Sequence, residues 1–278
     1  MRAAKFRRVS RRRADTLLAE RGLAVSRSAA AASVRAGRVR LGRDGPEVSK
    51  PGQLLPEDAE LVVEQGREFV SRGGTKLANA LRVMPVEVEG RRCLDIGAST
   101  GGFTDCLLRA GAEAVVALDV GYGQLDWRLR QDPRVTVMER VNARNLSPTD
   151  LPWRPGLVTV DVSFISLAKL LGAIIAIAAE DLDLVALVKP QFELGPERVG
   201  SGGVVRDAEA RREALRAVAE SASDAGLVVR GFASSGLPGP KGNLETFIWC
   251  SQRPGGGHKN RRRIQPIDVE AAIREVEQ

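Results

Sequence analysis

The sequence predicts an α/β fold, in which a seven-stranded and mostly parallel doubly wound sheet follows a small α+β domain. Two observations predict the sheet. Apolar strand-like segments alternate with amphipathic helical segments over residues 93–252, and a glycine-rich turn follows the first strand. A third observation, the uneven distribution of charge along the chain, predicts the separate N-terminal domain.

The net charge of +7 is confined to one part of the chain. Residues 1–67 hold 15 Lys+Arg and 8 Asp+Glu, whereas the remaining residues hold 27 of each. A basic segment beside a neutral domain is typical of a protein that binds a polyanion, so we expect a nucleic acid as the partner.

Composition also excludes several classes of protein. The chain has no apolar run of about 18 residues and no apolar signal segment, so we expect neither membrane insertion nor export but a cytoplasmic location. Cys93, Cys106 and Cys250 lack CxxC spacing, so neither a disulfide framework nor a metal site is predicted. His258 is the single histidine and lies in a basic run, which excludes Ser-His-Asp or Cys-His catalysis in the core.

Residues 1–64 form the predicted N-terminal domain, which opens with a basic lead of about ten residues. Apolar spacing that begins at Arg11 and stops at Gly22 predicts one short helix, and Ser26 is placed to cap a second. Alternating residues farther along predict two short strands. In chain order these four elements are residues 11–21, 27–36, 38–41 and 59–63.

Arginines are concentrated around these elements, and we expect them to present one cationic face to phosphate groups. They are Arg11, Arg12, Arg13, Arg27, Arg35, Arg38 and Arg40, with Arg72 added from farther along the chain. The stretch RRRADTLLAERGLAVSRSAAAASVRAGRVRLG resembles the RNA-binding domain named after ribosomal protein S four. The resemblance implies binding to structured RNA, which is recognised largely by shape and backbone.

A linker is predicted at residues 65–74, because glycines and polar residues are combined there between two patterned regions. Residues 75–83 predict a short amphipathic helix with Lys76 near its start. The second domain is predicted to span residues 75–252, and residues 253–278 are predicted to form a basic tail and a short helix.

Residues 93–111, CLDIGASTGGFTDCLLRAG, predict a buried strand, a glycine-rich turn and the opening of a helix. Backbone N–H groups in such a turn can face a bound group, and we expect Gly97, Gly101 and Gly102 to let a ligand approach. The turn lacks the Gly-x-Gly-x-x-Gly order of dinucleotide folds. A carboxylate at Asp95 would repel a pyrophosphate but suits a cation, and S-adenosylmethionine carries both an ammonium and a sulfonium.

The next predicted strand, residues 114–120, ends at Asp119, which is placed to bind a pair of ribose hydroxyls. The turn and this aspartate resemble the first two motifs of the Rossmann-like methyltransferases, which implies S-adenosylmethionine as the cofactor. The alternative is an ordinary α/β crossover with a tight turn, because short motifs produce false matches. The predicted cofactor-binding residues are Asp95, Gly97, Ala98, Ser99, Gly101, Gly102, Phe103, Asp119, Val120, Asn142 and Asp161.

Five further strands complete the predicted sheet and alternate with helices at residues 165–179 and 207–226. These strands are residues 134–140, 157–164, 183–193, 227–235 and 244–252. Asp161 and Lys189 lie near the ends of two of them. Both side chains are therefore expected at the edge of the sheet where parallel α/β folds bind ligands.

Two more charged residues are expected at that edge. Glu245 begins the last strand, and Lys76 lies ahead of the first. The set Lys76, Asp161, Lys189 and Glu245 resembles the Lys-Asp-Lys-Glu tetrad of FtsJ-type ribose 2′-O-methyltransferases, in which the last strand runs antiparallel. The alternative is two structural ion pairs at strand ends, since such pairs also perturb lysines.

The residue types of the tetrad suit methyl transfer to a ribose. A 2′-hydroxyl is a poor nucleophile, so the reaction needs in-line positioning and a base that removes one proton. Lys189 can be that base once neutral, because a second lysine and a sulfonium disfavour its charged form while Asp161 and Glu245 favour it. Enzymes that act on adenine N6 or cytosine N4 carry Asp/Asn-Pro-Pro-aromatic after the fourth strand, where this chain has Asp161-Val-Ser-Phe164.

The N-terminal segment, RxFVSRGGxKL, KPQFE and GGVVRD together resemble the TlyA family across nearly the whole chain. The resemblance implies 2′-O-methylation of cytidine in rRNA, and Phe69 stands where the family has a linker tryptophan. The family's haemolysin label gains no support, because the chain has no export signal and no basic amphipathic helix with an aromatic face. Residues 196–208 are either a lid over the substrate or a solvent loop. The basic run after residue 252 either contacts RNA or is a charged tail.

Three functions compete. The first is an S-adenosylmethionine-dependent rRNA 2′-O-methyltransferase that acts on ribosomal RNA or ribosomal subunits without an obligate protein partner. The second is an RNA-binding assembly factor whose methyltransferase fold is inactive or only senses the cofactor, and the third is a membrane-active cytolysin. The tetrad favours the first over the second, and the lack of export and membrane patterns counts against the third.

Overall fold

A computed structural model describes residues 10–35, 37–43, 45–63, 68–200, 202–252 and 267–277. The first nine residues of the predicted lead, part of the predicted linker and most of the predicted basic tail lie outside the described residues. The chain divides into two compact units, Met1–Glu68 and Phe69–Gln278. Each unit has its own hydrophobic core.

In the N-terminal unit, two helices share one core with two small antiparallel sheets. The helices are α1 (Ala14–Glu20) and α2 (Arg27–Arg35), and the strands are β1 (Arg11–Arg13), β2 (Val39–Leu41), β3 (Leu54–Pro56) and β4 (Leu61–Val63). Strand β1 pairs with β3, and β2 pairs with β4. The Ser26 hydroxyl accepts a hydrogen bond from the Ala29 N–H at 3.1 Å, as expected for the predicted cap of α2.

The structure differs from the sequence prediction in both strands of the β1–β3 pair. Residues 11–13 form a strand and not the first turn of a helix, because all three arginines are exposed and their backbones pair with Leu54–Pro56. Helix α1 therefore starts at Ala14, the first buried residue of the segment. The partner strand lies in a segment whose prolines and glycines predict only turns, so the sequence gives no signal for it.

The described residues of the C-terminal unit form a seven-stranded sheet with helices on both faces. Its strands are β5 (Arg92–Ile96), β6 (Ala114–Asp119), β7 (Val135–Glu139), β8 (Leu157–Val160), β9 (Asp183–Val188), β10 (Val228–Ser234) and β11 (Thr246–Ser251). Its helices are α3 (Arg72–Val83), α4 (Gly102–Arg109), α5 (Trp127–Arg130), α6 (Ala168–Ile177), α7 (Pro190–Glu193), α8 (Ala208–Asp224) and α9 (Val269–Val276). Strand and helix alternate as the sequence predicts.

The strand order in this sheet is β10-β11-β9-β8-β5-β6-β7. Strands β5 to β9 all run parallel to one another, whereas β11 runs antiparallel to both β9 and β10. Strands β8 and β9 are buried along their whole length, because apolar residues of helices cover both faces of the sheet. The predicted mostly parallel seven-stranded sheet is confirmed.

Helix α3 begins at Arg72, three residues before its predicted start, so the end of the predicted linker is helical. The glycines that suggested a linker have a different role here. A Cβ atom at Gly74 would overlap the Phe69 side chain and lie 2.8 Å from the carbonyl oxygen of Gly102. Gly74 therefore lets α3 pack closely against the start of α4, which is a tertiary requirement that local sequence does not reveal.

Two strands end four or more residues earlier than predicted, and both changes bear on the site. Strand β8 stops at Val160, so Asp161 is the first residue after the strand and not a member of it. Strand β9 stops at Val188, Lys189 follows it, and Pro190–Glu193 turn into the short helix α7. Both charged side chains thus leave the sheet at its carboxyl edge.

A buried ion pair fixes the opposite edge of the same sheet. Arg91 donates to the Asp183 carboxylate at 2.6 Å, and the Trp249 indole N–H donates to the other oxygen at 3.0 Å. We predict that Arg91→Ala lowers the free energy of unfolding by about 3 to 5 kcal/mol, because it removes one partner of a buried ion pair together with its hydrogen bond to the Asp183 carboxylate. The measurement is denaturant unfolding of the full chain.

The neighbouring residue provides the control for this change. Arg92 pairs with Glu113 at 3.0 Å, but both side chains are about half exposed. Arg92→Ala should therefore change the free energy of unfolding by no more than about 1 kcal/mol. Equal losses in the two variants would contradict the assigned role of the Arg91 pair.

Candidate active site

The glycine-rich turn after β5 is shaped by the protein around it. Gly97 has a φ of 84°, and a Cβ there would overlap the carbonyl oxygen of Asp161. Gly101 has a φ of 93°, and a Cβ there would overlap the Leu129 side chain. At Gly102 a Cβ would overlap Ser71. We expected these glycines to admit a ligand, but the structure requires them first for close packing of the turn against its own neighbours.

Asp95 does not face the space in front of the turn, contrary to the prediction. Its side chain is fully buried, and its two oxygens accept hydrogen bonds from Thr104 Oγ1 at 2.7 Å and Thr159 Oγ1 at 3.3 Å. Burial raises the pKa of this carboxyl to about 7, and the charge of Asp161 adds to the rise. Both faces of β5 are covered, so its alternate residues point into the core and not towards a ligand.

Asp119 lies at the carboxyl end of β6 and remains partly exposed. One of its oxygens accepts from the Ser99 N–H at 2.8 Å and the other from the Gly121 N–H at 2.6 Å. The carboxylate is thereby fixed against the glycine-rich turn, and each oxygen keeps a lone pair for a further donor. Val120, the next residue, is 69% exposed and gives an apolar surface beside it.

The other predicted cofactor residues fall into two groups. Ala98 and Phe103 are buried, and the Phe103 ring packs against Phe247 with centroids 5.7 Å apart, so both support the turn from behind. Asn142 is exposed, and its side chain accepts a hydrogen bond from the Arg144 N–H at 3.1 Å. The preceding residue, Val141, donates its N–H to the Asp119 carbonyl at 3.1 Å, and this hydrogen bond keeps the backbone at Asn142 close to Asp119.

The four predicted catalytic residues form two ion pairs at the carboxyl edge of the sheet. Lys76, near the start of α3, donates to the Glu245 carboxylate, and both side chains are buried. Lys189 Nζ lies 2.6 Å from Asp161 Oδ1 and donates to Ser163 Oγ at 3.1 Å. The contact with Asp161 lacks hydrogen-bond geometry, so attraction between the charges holds it.

The register of β11 on β9 brings the two pairs together. Thr246 stands opposite Val188, and the next step of the same antiparallel register places Glu245 opposite Lys189. Asp161 is joined to β5 because its N–H donates to the Ile96 carbonyl at 2.9 Å. Two lysines and two carboxylates therefore converge beside the glycine-rich turn, as predicted.

A cavity of about 300 Å³ opens beside the tetrad. Its lining combines the tetrad members Lys189 and Glu245 with polar, aromatic and glycine residues. The other lining residues are Ser163, Phe164, Gln191, Phe192, Val199, Gly203, Gly239, Pro240, Lys241 and Asn243. This volume lies at the lower end of the range for small-molecule sites.

Sequence reasoning missed several of these lining residues. Ser163 and Phe164 follow Asp161 in a loop, and nothing in their spacing marks them as part of a site. Phe164 is 91% exposed, has a φ of 65° and packs against the Phe192 ring with centroids 5.1 Å apart. An exposed aromatic residue with positive φ is uncommon, but only the structure reveals both properties.

The predicted RNA-binding arginines are partly neutralised by acids. Arg13 and Arg27 both contact Asp15, at 2.7 and 3.4 Å, and the hydrogen bonds from Arg13 lower the pKa of this buried carboxyl to about 2. Arg12 pairs with Glu20 and Glu57. The predicted face therefore carries less free positive charge than the arginine count suggests.

The remaining predicted RNA-binding residues are arranged in two ways. Arg11 and Arg35 are exposed, whereas Arg38 and Arg40 are half buried, and Arg38 donates to Ser33 Oγ at 3.3 Å. Arg72 belongs to the C-terminal unit, where it donates to the Pro238 carbonyl at 2.6 Å.

The described residues lack two features of other protein classes. No group of three or more His, Cys, Asp and Glu residues among them is arranged to hold a metal ion. No helix in the described part of the chain is long and apolar enough to cross a membrane.

The class of protein follows from the sheet and its charged edge. A seven-stranded sheet in which only β11 is antiparallel, with a glycine-rich turn after its central first strand, is the architecture of a Rossmann-like methyltransferase. Residues 69–253 match the family of FtsJ-like methyltransferases.

Several known proteins are similar over most of their length. A Mycobacterium tuberculosis protein named 16S/23S rRNA (cytidine-2′-O)-methyltransferase TlyA is 51% identical over 86% of this chain and 89% of its own length. Hemolysin A of Brachyspira hyodysenteriae is 38% identical, with 84% of this chain and 97% of the relative covered. The solved structure of a Streptococcus thermophilus protein, also named as a hemolysin, has a TM-score of 0.70 at 38% identity and covers 96% of each chain. The chain belongs to the FtsJ-like methyltransferases and, within them, to the TlyA family.

The buried Asp95 generates a testable pH dependence. A carboxyl whose pKa is about 7 in the folded chain and lower when unfolded contributes stability that is present at low pH and is lost as pH rises from about 4 to 7. Asp95→Asn has no carboxyl to titrate at this position. From pH 4 to 7, its free energy of unfolding should therefore fall by about 3 to 4 kcal/mol less than that of wild type. Denaturant unfolding at a series of pH values measures it.

An exposed aspartate serves as the control. Asp224 ends α8 at the surface, and Asp224→Asn should follow the wild-type curve within about 0.5 kcal/mol at every pH. Parallel curves for wild type and Asp95→Asn would show that Asp95 does not titrate in this range.

Proposed function

We propose that this chain transfers a methyl group from S-adenosylmethionine to the 2′-hydroxyl of a cytidine in ribosomal RNA. The observation that supports this proposal most strongly is the position of Lys189. Its side-chain nitrogen contacts Asp161 and Ser163 and lines a cavity together with Glu245, so the residue proposed as the base faces a space large enough for a nucleoside. The name of the mycobacterial relative supports the choice of cytidine and of ribosomal RNA.

The proposed cofactor site lies in front of the glycine-rich turn. Asp119 would accept the two ribose hydroxyls, since it is fixed by Ser99 and Gly121 and remains partly exposed. Val120 offers an apolar surface for the adenine, and Asn142 lies nearby on the chain after β7. Bound S-adenosylmethionine supplies an electrophilic methyl group on a sulfonium.

In the proposed reaction, Lys189 accepts the proton of the 2′-hydroxyl. Lys189 Nζ donates to Ser163 Oγ, and a neutral amine keeps N–H donors, so this hydrogen bond would still hold the amine beside the cavity. Lys76 is neutralised by Glu245 and supplies no second free charge to the cavity. The two carboxylates therefore balance the charges of the two lysines.

The N-terminal unit is proposed to bind structured RNA. The exposed guanidinium groups of Arg11 and Arg35 have no ion-pair partner among the described residues, and those of Arg13 and Arg27 keep about half of their surface in solvent. Contacts of this kind position a nucleic acid without reading its sequence. A cytoplasmic location, where ribosomal subunits are available, is part of the proposal.

Substitution of Lys189 separates a base from a fixed positive charge. Arginine keeps the charge but cannot be deprotonated at a working pH. We predict that Lys189→Arg and Lys189→Ala both lose methyl transfer by about two or more orders of magnitude in single-turnover assays on ribosomal subunits, while S-adenosylmethionine still binds. Calorimetry monitors cofactor affinity in the same preparations.

Lys169 on α6 is the matched control, because it is exposed and absent from the cavity lining. Lys169→Arg should keep the wild-type rate. If Lys189→Arg instead keeps most of its rate on bound substrate, Lys189 is an electrostatic clamp and another group removes the proton.

A further inference from the structure

Lys241 lies in the turn between β10 and β11 and lines the same cavity as Lys189 and Glu245. It is exposed, and it has neither an ion pair nor a hydrogen bond among the described residues. The other two lysines at this edge are neutralised, Lys76 by Glu245 and Lys189 by Asp161. Lys241 is therefore the lysine of this edge whose charge the described residues leave uncompensated.

The turn that carries Lys241 is fixed by a buried amide. Asn243 is 2% exposed, and the two polar atoms of its side chain form hydrogen bonds with residues 203–205, in the loop before α8. The Val205 N–H donates to its Oδ1 at 2.9 Å, and its Nδ2 donates to the Gly203 carbonyl at 2.8 Å. A Cβ placed on Gly203 would lie 3.5 Å from Lys241 Nζ, so the lysine head group sits against the segment that Asn243 holds.

The same turn contacts the tetrad directly. A Cβ on Gly239 would overlap Glu245 Oε1, so this glycine lets the turn lie against the carboxylate. The Gly239 N–H donates to the Asn243 carbonyl at 2.8 Å, and the Gly242 N–H donates to the Gly239 carbonyl at 2.9 Å. These bonds close the turn on both sides of Lys241 and place the lysine beside the residues proposed to hold the reacting ribose.

The chemistry of RNA indicates what such a lysine would bind. The 2′-hydroxyl and the 3′-phosphate occupy neighbouring carbons of one ribose, so a 2′-oxygen at Lys189 brings a phosphate to the same cavity. Lysine ammonium groups are common phosphate ligands and bind as point charges. S-adenosylmethionine has no phosphate, although its carboxylate is an anion that a lysine could also bind.

We propose that Lys241 binds the 3′-phosphate of the target nucleotide in the cavity beside the tetrad. This inference rests on the proposed function, because it assumes that the cavity receives a ribonucleotide. Lys241 is a substrate-binding residue in this account and takes no part in proton transfer.

The first experiment measures nucleotide binding without any reaction. Saturation-transfer NMR on the full chain gives dissociation constants for cytidine, cytidine 3′-monophosphate and cytidine 5′-monophosphate. Wild type and the control Lys169→Gln should bind the 3′-monophosphate about fivefold to tenfold more tightly than cytidine, as expected for one charge-assisted contact. In Lys241→Gln the two ligands should bind equally, and the 5′-monophosphate should show no comparable dependence on Lys241.

Three results would overturn the proposal. They are an absent preference for the 3′-phosphate in wild type, a preference that survives Lys241→Gln, and a loss of S-adenosylmethionine affinity in Lys241→Gln. The last result would assign Lys241 to the cofactor carboxylate.

A second experiment distinguishes this inference from the proposed function. On ribosomal subunits, Lys241→Gln should raise KM severalfold and leave kcat close to wild type. The slope of log affinity against log salt concentration should become shallower by about one, which corresponds to the loss of one phosphate contact. If wild type transfers no methyl group to RNA, the proposed function fails, and the nucleotide titrations still decide whether Lys241 recognises a 3′-phosphate. A fall in kcat without a change in KM would contradict a binding role.

Discussion

The antiparallel pairing of β11 with β9 is the constraint on which the rest of the site depends. Parallel strands alone bring only their carboxyl ends to one edge, which places Asp161 and Lys189 there. Reversal of β11 adds the beginning of a strand to that edge and sets Glu245 opposite Lys189. Glu245 then holds Lys76 of α3, so one reversed strand joins four distant parts of the sequence in a single cluster of charges.

Strand β9 carries an ion pair at each end, and the two differ in what surrounds them. At its start, Asp183 is enclosed by Arg91 and Trp249, and their hydrogen bonds occupy its oxygens. Just past its end, Lys189 opens onto a cavity. Removal of one partner from a buried pair is costly, so the Asp183 pair supports the fold, whereas the pair that opens to a cavity has room for a reactant. The same strand thus supports the fold at one edge and a site for chemistry at the other.

Hydrophobic periodicity predicted the seven strands, and the position of charges at strand ends predicted that the tetrad would assemble. The hydrophobic pattern could not predict which way the Asp95 side chain points. Both faces of β5 are buried, so alternation of residues along this strand does not distinguish a core face from a solvent face. Gly74 suggested flexibility, whereas its close approach to Phe69 depends on tertiary packing. Lys241 was missed for the same reason, since only the Asn243 hydrogen bonds place its turn at the cavity.

The central claim is that the paired charges at this edge serve methyl transfer to a ribose oxygen. The most direct measurement is to incubate the full chain with purified ribosomal subunits and S-adenosylmethionine that carries an isotopically labelled methyl group. The RNA is then digested to nucleosides and analysed by mass spectrometry. The account predicts that the label appears in 2′-O-methylcytidine. Label on a base, or no transfer to RNA by a chain that binds both the cofactor and the subunits, would contradict it.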